Sequence, residues 1–198
     1  MGTGSRPPWS AHDPGGSAGG WSDARPVALG ATMSRIFDQH RGAIRARFAP
    51  EEVELLRSLQ QGIRRALEDG DDDDPVIARL FPRAVSDDDE ADVELRRLLR
   101  DDLLESRQVG LDALIEVLDR CEPRRGRMVV ELEDDEPLLV LGVFNDLRLA
   151  IGARIGVDDL DRQDIPPGDP LAYRLAVMDL LGWWQEQLLA LLDPEGPG

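Results

Sequence analysis

The sequence has no lysine: all 23 of its cationic side chains are arginine. It has one cysteine, Cys121, and two histidines, His12 and His40, in 198 residues. A single cysteine excludes an intramolecular disulfide and a CxxC redox or zinc motif. Both histidines precede the first convincing element of secondary structure, so no His-ligated metal or Ser-His-Asp triad is expected in the core. No apolar run approaches the roughly 20 residues of a membrane span. The uncharged stretch 137–145 is far too short for one. Arg6 stands at an N-terminus with no apolar h-region, which argues against a secretory signal. The expectation is a cytoplasmic protein. Arginine without lysine, beside much Ala, Gly, Pro, Asp and Leu, reads as the codon bias of a GC-rich genome rather than as mechanism.

What the chain does have is acid. Its 40 Asp and Glu set a formal charge of −17. The charge is uneven. Residues 1–48 hold six Arg against Asp13, Asp23 and Asp38, and residues 49–198 hold 17 Arg against 37 acids, a net of −20. Such a body repels duplex DNA before contact, because Lys and Arg on phosphates supply most non-specific affinity. The hydrophobic fraction of 41% and charged fraction of 32% fit a globular chain with a real core.

Residues 1–32, rich in Gly, Pro and Ser, cannot bury much apolar area and are expected to be disordered. Met33 is a candidate true start. Residues 33–193 read as one helical domain, and 194–198 as a disordered end. The alternation of Ile44, Ala46 and Phe48 with Arg45 and Arg47 predicts a strand. Pro50 opens a helix with Val53, Leu56, Leu59, Ile63 and Leu67 on its buried stripe. Asp74-Pro75 and Asp169-Pro170 read as N-cap and first-turn pairs. Ser86 and Asp89 resemble a capping box for a long helix over 86–121, with Leu95, Leu98, Leu99, Leu103, Leu111, Leu114, Ile115 and Leu118 apolar. Asp102 and Arg107 interrupt that stripe, and Gly110 is a candidate kink. Arg124-Arg125-Gly126 turns into a second strand, 128–132, expected to pair with the first. A helix then runs from Asp134 or Asp135 to a glycine stop at Gly156, and the last spans 170–192. The spacing predicts a mainly α fold: about five helices in one domain with a small two-stranded β-ribbon, and no internal repeat.

The last two helices carry a specific pattern. Phe144-Asn145-Asp146-Leu147-Arg148, continuing to Gly152 and Gly156-Val157, resembles the "LNDLRLxLGxRLGV" stretch of an actinobacterial family, the AosR-type oxidative-stress transcriptional regulators. Asp179-Leu180-Leu181-Gly182-Trp183-Trp184-Gln185-Glu186 resembles its "DWLGWLQE" stretch. Residues 50–57 and 98–103 match weaker motifs in order, so the resemblance covers about 35–192. It implies a non-enzymatic regulator of transcription. Family genes lie near protease-adaptor and sulfur-carrier cysteine-biosynthesis genes, which leaves a helical interaction module in proteolysis or sulfur metabolism as the alternative. No zinc finger, basic region or ribbon-helix-helix signature is visible. With so acidic a body, the resemblance implies action through a sigma factor or RNA polymerase subunit carrying basic surfaces rather than strong direct DNA binding.

Several side chains are candidates for that work. Trp183 and Trp184 point about 100° apart on a helix, so one is core and the other lies at an edge, or both are packed. An exposed Trp, with Gln185 beside it, is a candidate partner anchor. Asn145 and Arg148 share a helix face. With Asp179, and with Asp102 and Arg107, they are candidates for a buried polar network, Arg148 with Asp179 in particular. Cys121 is either a quiet, half-buried thiol or a lone redox sensor favoured by Arg120, Arg124, Arg125 and Arg127. No catalytic residue, metal site or cofactor is expected. The acidic runs 71–74 and 87–90 lack calcium-loop spacing.

Overall fold

The computed structural model describes residues 34–69, 71–82, 89–166 and 168–193, apart from the side chains of 89–99 and Gln163. The proposals of a disordered tail over 1–32, a start at Met33, a Ser86 capping box and a disordered 194–198 lie outside them.

The order is β1 (Phe37–His40), β2 (Ala43–Phe48), α1 (Pro50–Asp69), α2 (Pro75–Leu80), α3 (Asp89–Asp119), β3 (Glu122–Arg124), β4 (Arg127–Leu132), α4 (Glu136–Ile155) and α5 (Pro170–Leu192). Short 3-10 turns, Val157–Asp159 and Arg162–Asp164, join the last two helices. The fold is mainly α, as the spacing predicts. The ribbon is larger than expected: a four-stranded antiparallel sheet in the order β1-β2-β4-β3. β2 and β4 do pair, Ala46 opposite Val130, but each also folds back on a partner through a two-residue turn. Those turns are Arg41-Gly42 and Arg125-Gly126, with all four residues at positive φ, as type I′ hairpins demand. A hairpin followed by a helix thus occurs twice, a structural repeat where none was expected. His40, expected to precede all structure, ends β1, 3.9 Å from Glu131.

Two of the three expected aspartate caps form; at the start of α4 Asp135 makes no side-chain cap bond, and Glu136 accepts from the Glu133 N–H at 2.8 Å instead. Asp74 accepts from the Val76 N–H at 2.7 Å, and Asp169 from that of Leu171 at 2.8 Å. Glu52 reaches back to the Ala49 N–H at 2.6 Å, closing the first turn of α1. Gly156 ends α4 in the left-handed region at φ 63°. Gly110 lies inside the unbroken α3 and makes a close contact: a Cβ there would lie 3.1 Å from Val143 Cγ2 of α4. Leu103, assigned to the apolar stripe of α3, is 42% exposed.

The core lies between the inner face of the sheet and the helices, with α4 packed against α2, α3 and α5. Its centre is a ring of aromatics. Phe37 meets Phe48 at 6.1 Å, Phe48 meets Trp184 at 5.9 Å, Trp184 meets Phe144 at 5.7 Å, and Phe144 returns to Phe37 at 6.3 Å. Edge-on and tilted contacts of this kind add stability beyond the area they bury. Buried Gln187 of α5 accepts from the N–H groups of Ile36 and Phe37, at 2.8 and 3.3 Å, and so fastens the edge strand to the last helix.

Candidate functional site

The two motif stretches lie face to face. Residues 144–157 belong to α4 and its exit, residues 179–186 belong to α5, and the helices run antiparallel along one another. Gly182 makes room for a side chain of α4. A Cβ at that position would sit 3.3 Å from Arg148 Cζ, so the guanidinium lies against bare α5 backbone. Arg148 Nη1 donates to Gln185 Oε1 at 2.8 Å, and Gln185 Nε2 donates back to the Leu141 carbonyl at 3.4 Å. Gln185, a candidate partner contact, is therefore engaged within the seam.

The expected pairing of Arg148 with Asp179 is not made. Arg148 extends toward the C-terminal side of Gly182, where Gln185 lies. Asp179 stands one turn the other way, exposed, and accepts from Arg162 Nη1 at 3.1 Å. Nor do the two tryptophans share a role. Trp184 is fully buried in the aromatic ring, which removes it as a surface anchor. Trp183 is half-buried at the edge of the core.

Asn145 and Arg148 do come together. Both line an open cleft of about 540 Å³ between α2, α4, α5 and the turn after Gly156. Arg79 stands on its α2 wall and meets Asp158 at 3.4 Å. Gly152 forms part of the wall, where a Cβ would lie 3.1 Å from Val157 Cγ1 and 3.4 Å from Met178 Cε. The cleft thus offers the exposed carboxamide of Asn145, the guanidiniums of Arg148 and Arg79, bonded to Gln185 and paired with Asp158 respectively, and the carboxylates of Asp158 and Asp159. That is equipment for recognition by hydrogen bonds and charge. Among the described residues no group of three or more His, Cys, Asp or Glu is placed to hold a metal ion.

A second polar cluster was only half legible. Arg107 was singled out; its partner, Asp146, was not. Arg107 Nη1 donates to Asp146 Oδ1 at 2.5 Å, and its Nη2 donates to the Leu80 carbonyl at 2.6 Å. The guanidinium also lies 5.3 Å from the Phe81 ring centre. Burial pushes the Asp146 carboxyl above the usual range, and Arg107 opposes the shift. The available signal was position: Asp146 sits among Val143, Phe144, Leu147 and Ala150, all buried. A carboxylate on that face needs a cation. Asp102, grouped with Arg107 by sequence, is exposed.

Cys121 follows α3, half-buried, with its thiol 3.6 Å from the Val117 carbonyl. Burial pushes its pKa up to about 11, against the pull of Arg57 and Arg120. Of the four arginines invoked from sequence, only Arg120 contributes to that pull.

No helix among the described residues is long and apolar enough to cross a membrane. Residues 33–192 match a family model described as "Domain of unknown function (DUF2017)". The chain is similar to the "Oxidative stress regulator AosR" of Mycobacterium tuberculosis (strain ATCC 25618 / H37Rv), at 26% identity over 182 residues, 75% of this chain and 81% of that protein. The Mycobacterium bovis (strain ATCC BAA-935 / AF2122/97) protein of the same name matches at the same identity and coverage. No solved structure matches. The chain belongs to the DUF2017 family.

Proposed function

We propose that this family member is a non-enzymatic regulator of the oxidative-stress response in the cytoplasm. It works by binding a protein of the transcription apparatus, a sigma factor or a subunit of RNA polymerase. One observation carries the reading: relatives that span 75% of this chain bear the name oxidative stress regulator. Charge supports a protein rather than a promoter as first contact, since residues 49–198 carry a net −20. The motif residues support recognition rather than turnover. Arg148, Gln185 and Gly182 knit α4 to α5, while Asn145 and Arg79 face the adjoining cleft.

The test uses the full chain on a sensor surface, exposed in turn to RNA polymerase core, to single purified sigma factors and to promoter DNA. Each is run reduced and after peroxide. The expected result is saturable binding to one protein component and none to DNA alone at physiological salt. Binding to DNA alone, with no response to polymerase or any sigma factor, overturns the reading.

A further inference from the structure

The outer face of the sheet carries a charge opposite to the rest of the chain. Strand alternation sends Phe37, Ala46, Phe48, Val130 and Leu132 inward, where all are buried. It sends Asp38, Arg45, Arg47, Arg127, Val129, Glu131, Glu122 and Arg124 outward, on the side the helices leave open. Arg41 and Arg125 stand exposed at the two turn tips. Six arginines thus face three carboxylates on one layer of a chain whose formal charge is −17.

The excess is concentrated at one end. Arg124 and Arg127 are direct register partners across the β3–β4 ladder, with Arg125 between them at the tip. Like charges placed directly opposite destabilise a sheet. Arg124 is answered by Glu122 at 2.6 Å, and Arg127 by Glu52 of α1 at 3.9 Å. On the neighbouring strand Arg45 and Arg47 both bond to the single carboxylate of Asp38. Val129 lies between Arg47 and Glu122. At the opposite end, Glu131 and the run Glu133-Asp134-Asp135 after β4 bound the patch.

We propose that this arginine-rich end, centred on Val129, docks a short acidic segment of a partner protein, with carboxylates on either side of an apolar residue. The proposal deepens the function given above by fixing the chemistry of one contact, acidic on the partner's side where the rest of the body favours basic surfaces, and rests on that reading. The size of the patch argues against nucleic acid. A strand of six residues spans only about 20 Å. Screening at physiological salt acts over about 8 Å. A duplex would overrun the patch into the field of the acidic body, whereas a short peptide stays within it. The outward positions of the four strands include no Phe, Tyr or Trp on which a single-stranded base could stack, and the imidazole of His40 stands beside Glu131 at the acidic end, away from the patch.

The probe is a fluorescein-labelled peptide of about six residues, glutamates on either side of one leucine and so about 20 Å when extended, titrated with the full chain by anisotropy. A labelled duplex of about 20 base pairs runs in parallel. Arg124→Gln with Arg125→Gln, a change of two charges, is compared with Arg174→Glu, a charge-matched change at an exposed position of α5, after circular dichroism confirms folding. The peptide is expected to bind, to weaken about tenfold or more between low and high salt, and to lose about tenfold or more in the Arg124/Arg125 variant but not in Arg174→Glu. The inference is overturned by no peptide binding, by tighter binding of the duplex, or by equal loss in both variants. If polymerase or sigma-factor capture survives in the Arg124/Arg125 variant, this inference falls and the functional reading stands. If the wild type captures neither, the functional reading falls and the peptide titration still reports on the patch.

Discussion

Arg107 and Asp146, 39 residues apart in sequence, form a 2.5 Å ion pair that joins α3 to α4. The same guanidinium holds the last carbonyl of α2, so three helices meet at one side chain. Both partners are mostly buried, with side chains 19% and 11% exposed. Breaking such a pair leaves an uncompensated charge, which costs about 3 kcal/mol. Asp146→Ala is expected to lose about that much in urea denaturation. Arg107→Met with Asp146→Leu is expected to recover most of it, because well-packed apolar replacements of buried pairs are often neutral. Equal losses in the single and double variants would show that packing, not charge, is at stake.

Stability should respond to acid through Glu136 and Asp146 in opposite senses. Arg120 bonds to Glu136 and holds its carboxyl below the usual range. A depressed carboxyl contributes stability above its unfolded value of 4.5, and that contribution is lost as pH falls through the folded value. Asp146 is raised by burial, so its contribution is largest below its unfolded value of 3.8 and declines as pH rises through the folded one. Glu136→Gln is therefore expected to destabilise at pH 7 and to flatten the decline below about pH 4.5 in thermal melts across pH. An unchanged acid limb would show that Glu136 does not govern it.

Gln187 is expected to control β1 locally. Its Oε1 accepts from two amides, those of Ile36 and Phe37. Gln187→Leu leaves both donors without that acceptor, at about 1–3 kcal/mol each. Hydrogen exchange should rise at Ile36 and Phe37 while the middle of α4 keeps its protection. A uniform rise along the chain would mean global destabilisation instead.

Cys121 should react slowly. With a pKa of about 11, its thiolate fraction at pH 7 is only about 1 in 10,000. Alkylation by iodoacetamide in the native state should lag far behind unfolded protein and accelerate with rising pH. Peroxide-dependent binding that survives in Cys121→Ser would place the oxidant response elsewhere. Loss of that response would return the thiol to the mechanism despite its burial.

Much of this architecture was legible because it is local. The helix starts at residues 75 and 170 followed from an aspartate and a proline side by side, and the stop at 156 from a glycine before an apolar residue. The edge strands were not legible. β1 is four residues long, and its turn uses Arg41 at φ 53°, a position where Asn or Gly is the usual signal. β3 is three residues with a proline at its centre, which reads as loop. The candidate site was legible as composition but not as pairing. Asn145, Arg148 and Gln185 were all singled out. That Arg148 turns to Gln185 rather than Asp179 depends on how two antiparallel helices slide past one another, which no single helix encodes. Trp184 was ambiguous because adjacent residues on a helix exchange roles with a rotation of about 100°.

The repeated hairpin has a temporal consequence. Each hairpin closes over a two-residue turn, an event of microseconds. The seam between them joins Ile44 to Leu132, across most of the described chain, and such long-range pairings form slowly. During synthesis β2 therefore waits with one edge bare until β4 has left the ribosome, while α1, α2 and α3 are made in between. In that interval the first hairpin is the part of the nascent chain most open to pairing with a stranger.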